Sequence, residues 1–261
     1  MTTVTASPAP LARLEPADSP DVSVVIVTYG TGGVIIDTIA SISAATTDLT
    51  FEVIVVDNPH PAVPGRSAME LSLSTAGVRV VAPSHNLGFG GGCEVGALAA
   101  RADVVAFVNP DVVVPRGWLE PLVAALAIPD VAIAVPVLVD PDGAVQEAGQ
   151  RLLADGATAP ILDVPDRLTT VDYASGACWV MTARMHERLG GFDPLYHPAY
   201  FEDVDLALRA RSMGLRCVVE PAVRVVHLGG QGTPDEIRPA STQRDILLDR
   251  WPDLRWRQPK T

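Results

Sequence analysis

As far as about residue 140, runs of consecutive apolar residues alternate with stretches whose apolar positions recur at helical spacing. Val22–Thr28 (VSVVIVT) reads as a strand buried on both faces, and Val34–Ala45 (VIIDTIASISAA) as an amphipathic helix. Phe51–Asp57 is a second strand; the Pro-rich segment after it reads as a loop, with a helix over Ser67–Ala76. Val78–Ala82 follows as a third strand, Gly90–Arg101 as a helix, Ala102–Asn109 as a fourth strand and Gly117–Ala127 as another helix. Continuous Val/Ile runs alternating with helices imply a parallel sheet covered on both faces.

From Val131 the pattern loosens. Val131–Asp140 and Gly176–Arg184 read as strands, Phe201–Gly214 as a helix, Leu215–Glu220 and Val223–Leu228 as short strands. A Gly-rich stretch, Gly229–Thr233, predicts a mobile loop, and Thr242–Arg250 a last helix. Nothing between the halves resembles a linker. The expectation is one α/β domain over residues 21–261, with a nucleotide-type half to about residue 130 and a mixed half after it. A Thr-, Ala- and Pro-rich leader over residues 1–20 is expected to be disordered. The longest apolar stretch is broken by Pro129, Asp130 and Pro136, so no transmembrane segment is expected.

Composition narrows the function. The chain has 261 residues, 48% hydrophobic and 19% charged, and a net charge of -12. That balance lacks the basic face of a nucleic-acid binder. An anionic ligand would need a cation or backbone N–H groups to hold it. Three scattered cysteines, Cys93, Cys178 and Cys217, form no zinc or redox spacing, which points to a reducing, cytoplasmic compartment. The abundance of Ala, Val and Pro fits a high-GC bacterial source.

Ligands of open α/β sheets bind beyond the carboxyl ends of the strands. Here those ends are Thr28-Tyr29, Asp57-Asn58, His85-Asn86 and Asn109 to Asp111. Each alone is an ordinary turn; four on one edge point to a site. NLGFGGGCEVG (Asn86–Gly96) fails the dinucleotide fingerprint, because Cys93 stands where the third glycine belongs. It is either a backbone cradle for a phosphate or sugar or a tight turn with close helix packing. In NPD, Pro110 fixes a rigid turn that holds Asp111 at the sheet edge, an ordinary turn or half of a Mg2+ or Mn2+ site. Glu202, Asp203 and Asp205 open a helix, where acids complement the helix dipole; a pair facing a cleft would supply a general base. His227 ends a strand, as a structural residue or a metal ligand.

Taken together, VSVVIVTY, VIVVDN, NLGFGGG, FVNPDV, YASGACWVMTAR, GGFDPLYHPAYFEDVDLALRARSMG and VVHLGG resemble glycosyltransferase family 2, especially its rhamnosyltransferase-like members, over roughly Asp21–Gly230. The resemblance implies a GT-A fold, a Rossmann-like mostly parallel sheet joined to an acceptor half. It implies a divalent metal (Mg2+ or Mn2+) and inverting transfer from a nucleoside-diphosphate sugar, UDP or dTDP, to an acceptor hydroxyl. Carried over residue by residue, Thr28 and Tyr29 line the nucleoside pocket, Asp57 bonds a pyrimidine base, and Asn86, Gly88 and Phe89 flank the nucleotide sugar. Asn109 and Asp111 match the diphosphate and metal motif, with His227 joining Asp111 as a metal residue. Asp203 matches the catalytic base beside Glu202, and Gly176 and Trp179 fall on the acceptor side. A homodimer is compatible with the sequence but not required by it.

The chain departs from the family pattern in three places. Cys93 and Glu94 stand where relatives carry Asn, and Glu94 near a sugar diphosphate would be unwelcome unless it points away or binds a sugar hydroxyl. DNPHPAVPG replaces an Asp-Asn-x-Ser run, and LYHPAY replaces a Phe-rich one. These departures keep open a non-catalytic GT-A module that binds nucleotide sugar or scaffolds a partner. A dinucleotide oxidoreductase is the third reading, and Cys93 speaks against it.

Overall fold

The computed structural model describes residues 14, 17–31, 33–45, 48–61, 73, 77–229 and 240–254. The elements run β1 (Val22–Tyr29), α1 (Val34–Ala44), β2 (Phe51–Asn58), β3 (Arg79–Val81), α2 (Gly88–Ala99), β4 (Val104–Val108), β5 (Val112–Val113) and α3 (Leu119–Ala125). They continue with β6 (Val131–Val139), β7 (Val145–Glu147), β8 (Gln150–Leu152), β9 (Thr158–Pro160), β10 (Thr169–Val171), β11 (Cys178–Thr182) and α4 (Ala183–Leu189). Then come a 3-10 turn at Pro194–Tyr196, α5 (Glu202–Ser212), β12 (Arg216–His227) and α6 (Ala240–Arg250). The helix expected over Ser67–Ala76, most of the disordered leader and most of the Gly229–Thr233 loop lie outside the described residues. Leu14, at the edge of that leader, is buried among the core side chains of β1 and α1.

One sheet in the order β10-β12-β6-β11-β4-β1-β2-β3 runs through both halves of the chain. β1 pairs in parallel with β2 and β4, and β2 with β3. β11 is antiparallel to β4 and β6, and β12 is parallel to β6. Two reversals therefore return β12 to the direction of β1. The carboxyl ends of β1, β2, β4 and β12 and the amino end of β11 share one edge.

Period-two alternation divides the Val/Ile runs between two cores. Val25, Val27, Ile54 and Val56 pack with Cys93 of α2 and Leu206 of α5. Val24, Ile26, Val53 and Val55 pack with Ile35 and Ile39 of α1 and Leu122 of α3. The parallel, helix-covered sheet is the one the apolar runs predict. The expected strands Leu215–Glu220 and Val223–Leu228 are instead one strand, β12, whose register shifts between Glu220 and Arg224. Pro221 lies within that irregularity, where a missing N–H is tolerated. The helix expected from Gly90 begins two residues earlier, at Gly88.

Candidate active site

A cavity of about 720 Å3 opens at the shared strand edge. The pairing of β5 with β12 builds its centre. Val113 is opposite Val226, Val112 is opposite His227, and Leu228 N–H donates to the Asp111 carbonyl at 2.9 Å. Two residues far apart in sequence are thereby fixed side by side: His227 Nε2 is 3.5 Å from Asp111 Oδ1. Asp111 is 6% exposed, at the cavity wall. A carboxylate oxygen and an imidazole nitrogen are a donor set that suits Mn2+ or Mg2+ with its remaining positions open. Among the described residues no group of three or more potential ligands occurs, so the pair offers two protein ligands at most.

The start of α2 forms a second wall. Gly88 has φ +72°, and a Cβ there would run into the Pro198 carbonyl. Asn86 Oδ1 accepts from Gly88 N–H at 2.8 Å, and Phe89 N–H donates to Pro198 O at 2.8 Å. Asn58 clamps the same turn, accepting from Leu87 N–H at 2.9 Å and donating to Gly88 O at 3.1 Å. Further along, Gly92 and Gly96 face Val27 and Val25, leaving no room for a Cβ and laying α2 flat on β1.

The third wall carries the acids. Tyr200 and Phe201, both non-Gly, have φ +78° and +71° immediately before α5. Such backbone costs on the order of 1–3 kcal/mol per residue and gathers at functional sites. Asp203 Oδ2 accepts from Gly176 N–H at 3.0 Å, and its Oδ1 from Val204 N–H at 2.7 Å. Burial pushes the Asp203 carboxyl up to about 6, with the two backbone N–H bonds pulling the other way. Glu202 is more deeply buried, and burial together with the charge of Asp203 holds its carboxyl well above the usual range. Asp205, the third acid, is wholly buried and structural: it pairs with Arg209 at 2.8 Å and accepts from Trp251 Nε1 at 2.8 Å, fastening the chain after α6.

The profile of the family described as "Glycosyl transferase family 2" matches residues 23–190, well over half the chain. The chain belongs to glycosyltransferase family 2. A pre-mycofactocin glycosyltransferase of Mycobacterium tuberculosis is 31% identical over 58% of this chain and 32% of its own length. The O-antigen biosynthesis protein RfbC of Myxococcus xanthus is 26% identical over 85% of this chain and 18% of its own. The chain thus spans about a third or less of the length of these curated relatives. Among solved structures, GalNAc-T7 with UDP, GalNAc and Mn2+ superposes with a TM-score of 0.73 at 19% identity, covering 90% of this chain and 49% of that one. The mannosyltransferase PcManGT from Pyrobaculum calidifontis, in complex with GDP-Man and Mn2+, gives a TM-score of 0.61 at 21% identity, over 98% and 69%. The fold is that of these GT-A glycosyltransferases.

In this family 2 member the cavity brings together Thr28, Tyr29, Asn86, Gly88, Phe89, Asn109, Asp111, Gly176, Glu202, Asp203 and His227. Two residues named from the sequence fall outside it. Asp57 is buried at the end of β2, paired across the sheet with Thr28, and Asn58 beside it lines the cavity instead. Trp179 is fully buried, its Nε1 donating to Ala174 O at 3.1 Å, and does not line the cavity. Glu94 is not among the residues lining the cavity: it accepts from Phe192 N–H at 2.6 Å and lies 3.0 Å from His186 Nε2. Tyr173, Ser175 and Thr158 also line the cavity without a signal in the sequence pattern: Thr158 is on β9, a three-residue strand too short to show a period, and Tyr173 and Ser175 are in the segment between β10 and β11.

Proposed function

We propose that this chain transfers a sugar, with inversion, from a nucleoside-diphosphate donor to an acceptor hydroxyl. Asp203 is the general base, and Asp111 with His227 holds Mg2+ or Mn2+. The observation that carries this reading is one cavity shared by the Asp111–His227 pair and by a carboxylate whose proton affinity is raised to about 6. Among the described residues lining that cavity there is no Lys or Arg. Among those residues the fixed charges that a bound diphosphate would meet are the carboxylates Asp111, Glu202 and Asp203, which argues for metal dependence. A bound cation supplies electrostatic stabilisation of the departing diphosphate, worth several kcal/mol.

The remaining work falls to the protein. The Gly176 and Val204 N–H groups hold Asp203 in place for proton removal from the acceptor hydroxyl. Tyr173, Tyr200 and Ser175 offer the acceptor side two aromatic rings and a hydroxyl. The nucleoside lies against Tyr29, whose ring meets His60 edge-on at 4.5 Å. We take the donor to be a UDP- or dTDP-sugar and the compartment to be cytoplasmic. Three buried, free cysteines fit a reducing environment. With Glu94 occupied elsewhere, it no longer speaks for a non-catalytic module.

A thermal-shift panel of UDP-, dTDP- and GDP-sugars with and without Mn2+ tests the reading. A ligand at a hundred times its Kd adds about 2.7 kcal/mol of stability. One pyrimidine donor should stand out, and only with Mn2+. Equal shifts for all donors, or shifts indifferent to Mn2+, would contradict it.

A further inference from the structure

His227 meets the cavity through one of its two ring nitrogens. Nε2 faces Asp111 Oδ1 at 3.5 Å, whereas Nδ1 is 3.1 Å from Gln146 Oε1 on β7. Which nitrogen carries the proton of the neutral ring follows from Gln146. Its amide nitrogen donates to Asp140 Oδ1 at 2.6 Å and to the His227 carbonyl at 2.7 Å. A carboxylate and a carbonyl both accept. Turning the amide over would set its oxygen against two oxygens and forfeit both bonds, so the network fixes its orientation. Oε1 therefore faces Nδ1, and an amide oxygen only accepts. Asp111 Oδ1 accepts as well, but at 3.5 Å from Nε2 it is the more distant partner, so the hydrogen-bond geometry favours the proton of the neutral ring on Nδ1.

We propose that Gln146 is a positioning residue: it locks neutral His227 in the Nδ1–H tautomer, so that Nε2 stays ready to ligate the divalent cation shared with Asp111. The proposal rests on the metal reading above. Partners of this kind on the far nitrogen commonly fix ring orientation in histidine metal sites. The hairpin between β6 and β7 sets the reach, since Asp140 N–H donates to Ala144 O at 2.8 Å and closes the turn that presents Gln146.

The test begins with metal-free protein, at a pH where imidazole is neutral. A two-bond 1H–15N correlation should show His227 with a protonated Nδ1 and a bare Nε2. Gln146→Leu, of similar bulk, should move the ring toward the Nε2–H form. It should also weaken Mn2+ binding in the presence of UDP, read by electron paramagnetic resonance, by roughly 10–100-fold. In a His227→Ala background the same substitution should cost nothing further. An Nε2–H ring in the unmodified protein would overturn the proposal, and that spectrum decides even if the variant fails to fold. A folded Gln146→Leu protein with unchanged tautomer and Mn2+ affinity would overturn it equally. Unchanged Mn2+ affinity in His227→Ala would instead overturn the metal reading, and the metal-free spectrum tells the two failures apart.

Discussion

Asp203 and its neighbours in FEDVD show how one short run divides its labour. Asp205 is neutralised in the core by Arg209 and Trp251, Glu202 is pressed toward its neutral form, and Asp203 stands at the cavity wall. From the sequence all three read equally well as acids complementing a helix dipole. Only burial and partners separate them, and those come from elements distant in the chain. Asp203→Asn should leave donor binding intact and lower turnover by about 10²–10⁴, as measured by steady-state kinetics beside calorimetric donor affinity. Turnover should also follow the ionisation of this group. A base works only when deprotonated, so activity should fall as pH drops through about 6 and level off above it. A profile flat from pH 4 to 8 would place the base elsewhere.

At the scale of elements, the glycine-rich run owes its spacing to packing rather than to a dinucleotide. Gly92 and Gly96, one helical turn apart, present bare backbone to Val27 and Val25 of β1. Ala at position 96 would gain about 1 kcal/mol of helix preference. It would also thrust a methyl into a β-branched side chain that cannot turn aside on a central strand, and such overpacking costs about 1–3 kcal/mol. Gly96→Ala should therefore lower Tm by a few degrees in calorimetry; a raised Tm would contradict the packing described. The long strands were legible because Val/Ile runs admit few alternatives. β5, with two residues, was not, and neither was the joining of two expected strands into β12. Yet that β5–β12 pairing is what sets His227 beside Asp111. The residue pattern showed a turn aspartate and a separate strand-end histidine, which only the family resemblance joined, and their meeting depends on sheet order.

For the whole molecule, the cleft exists because strands from the second half re-enter the sheet beside β4 and bring their ends to the edge used by β1 and β2. The strand-end rule located that edge from the sequence, and most of the residues it singled out do face one cavity. Asp57 and Trp179 do not, because the alternation within a strand and the filling of a core are settled by neighbours that no single segment reveals. The wall around Thr158, Tyr173 and Ser175 was the least legible part, since it draws on a three-residue strand and on the segment between β10 and β11. What unifies the cleft is a small acidic and imidazole centre without a protein cation among the described lining residues, which the proposed function reads as the seat of a metal-bound diphosphate. Calorimetric titration of UDP and dTDP with and without Mn2+, in the unmodified chain and in Asp111→Ala, tests that claim most directly. The account predicts tight binding of one nucleotide only when Mn2+ is present, with that metal-dependent gain lost in Asp111→Ala; equal affinity with and without Mn2+, or an Asp111→Ala protein that keeps the gain, would contradict it.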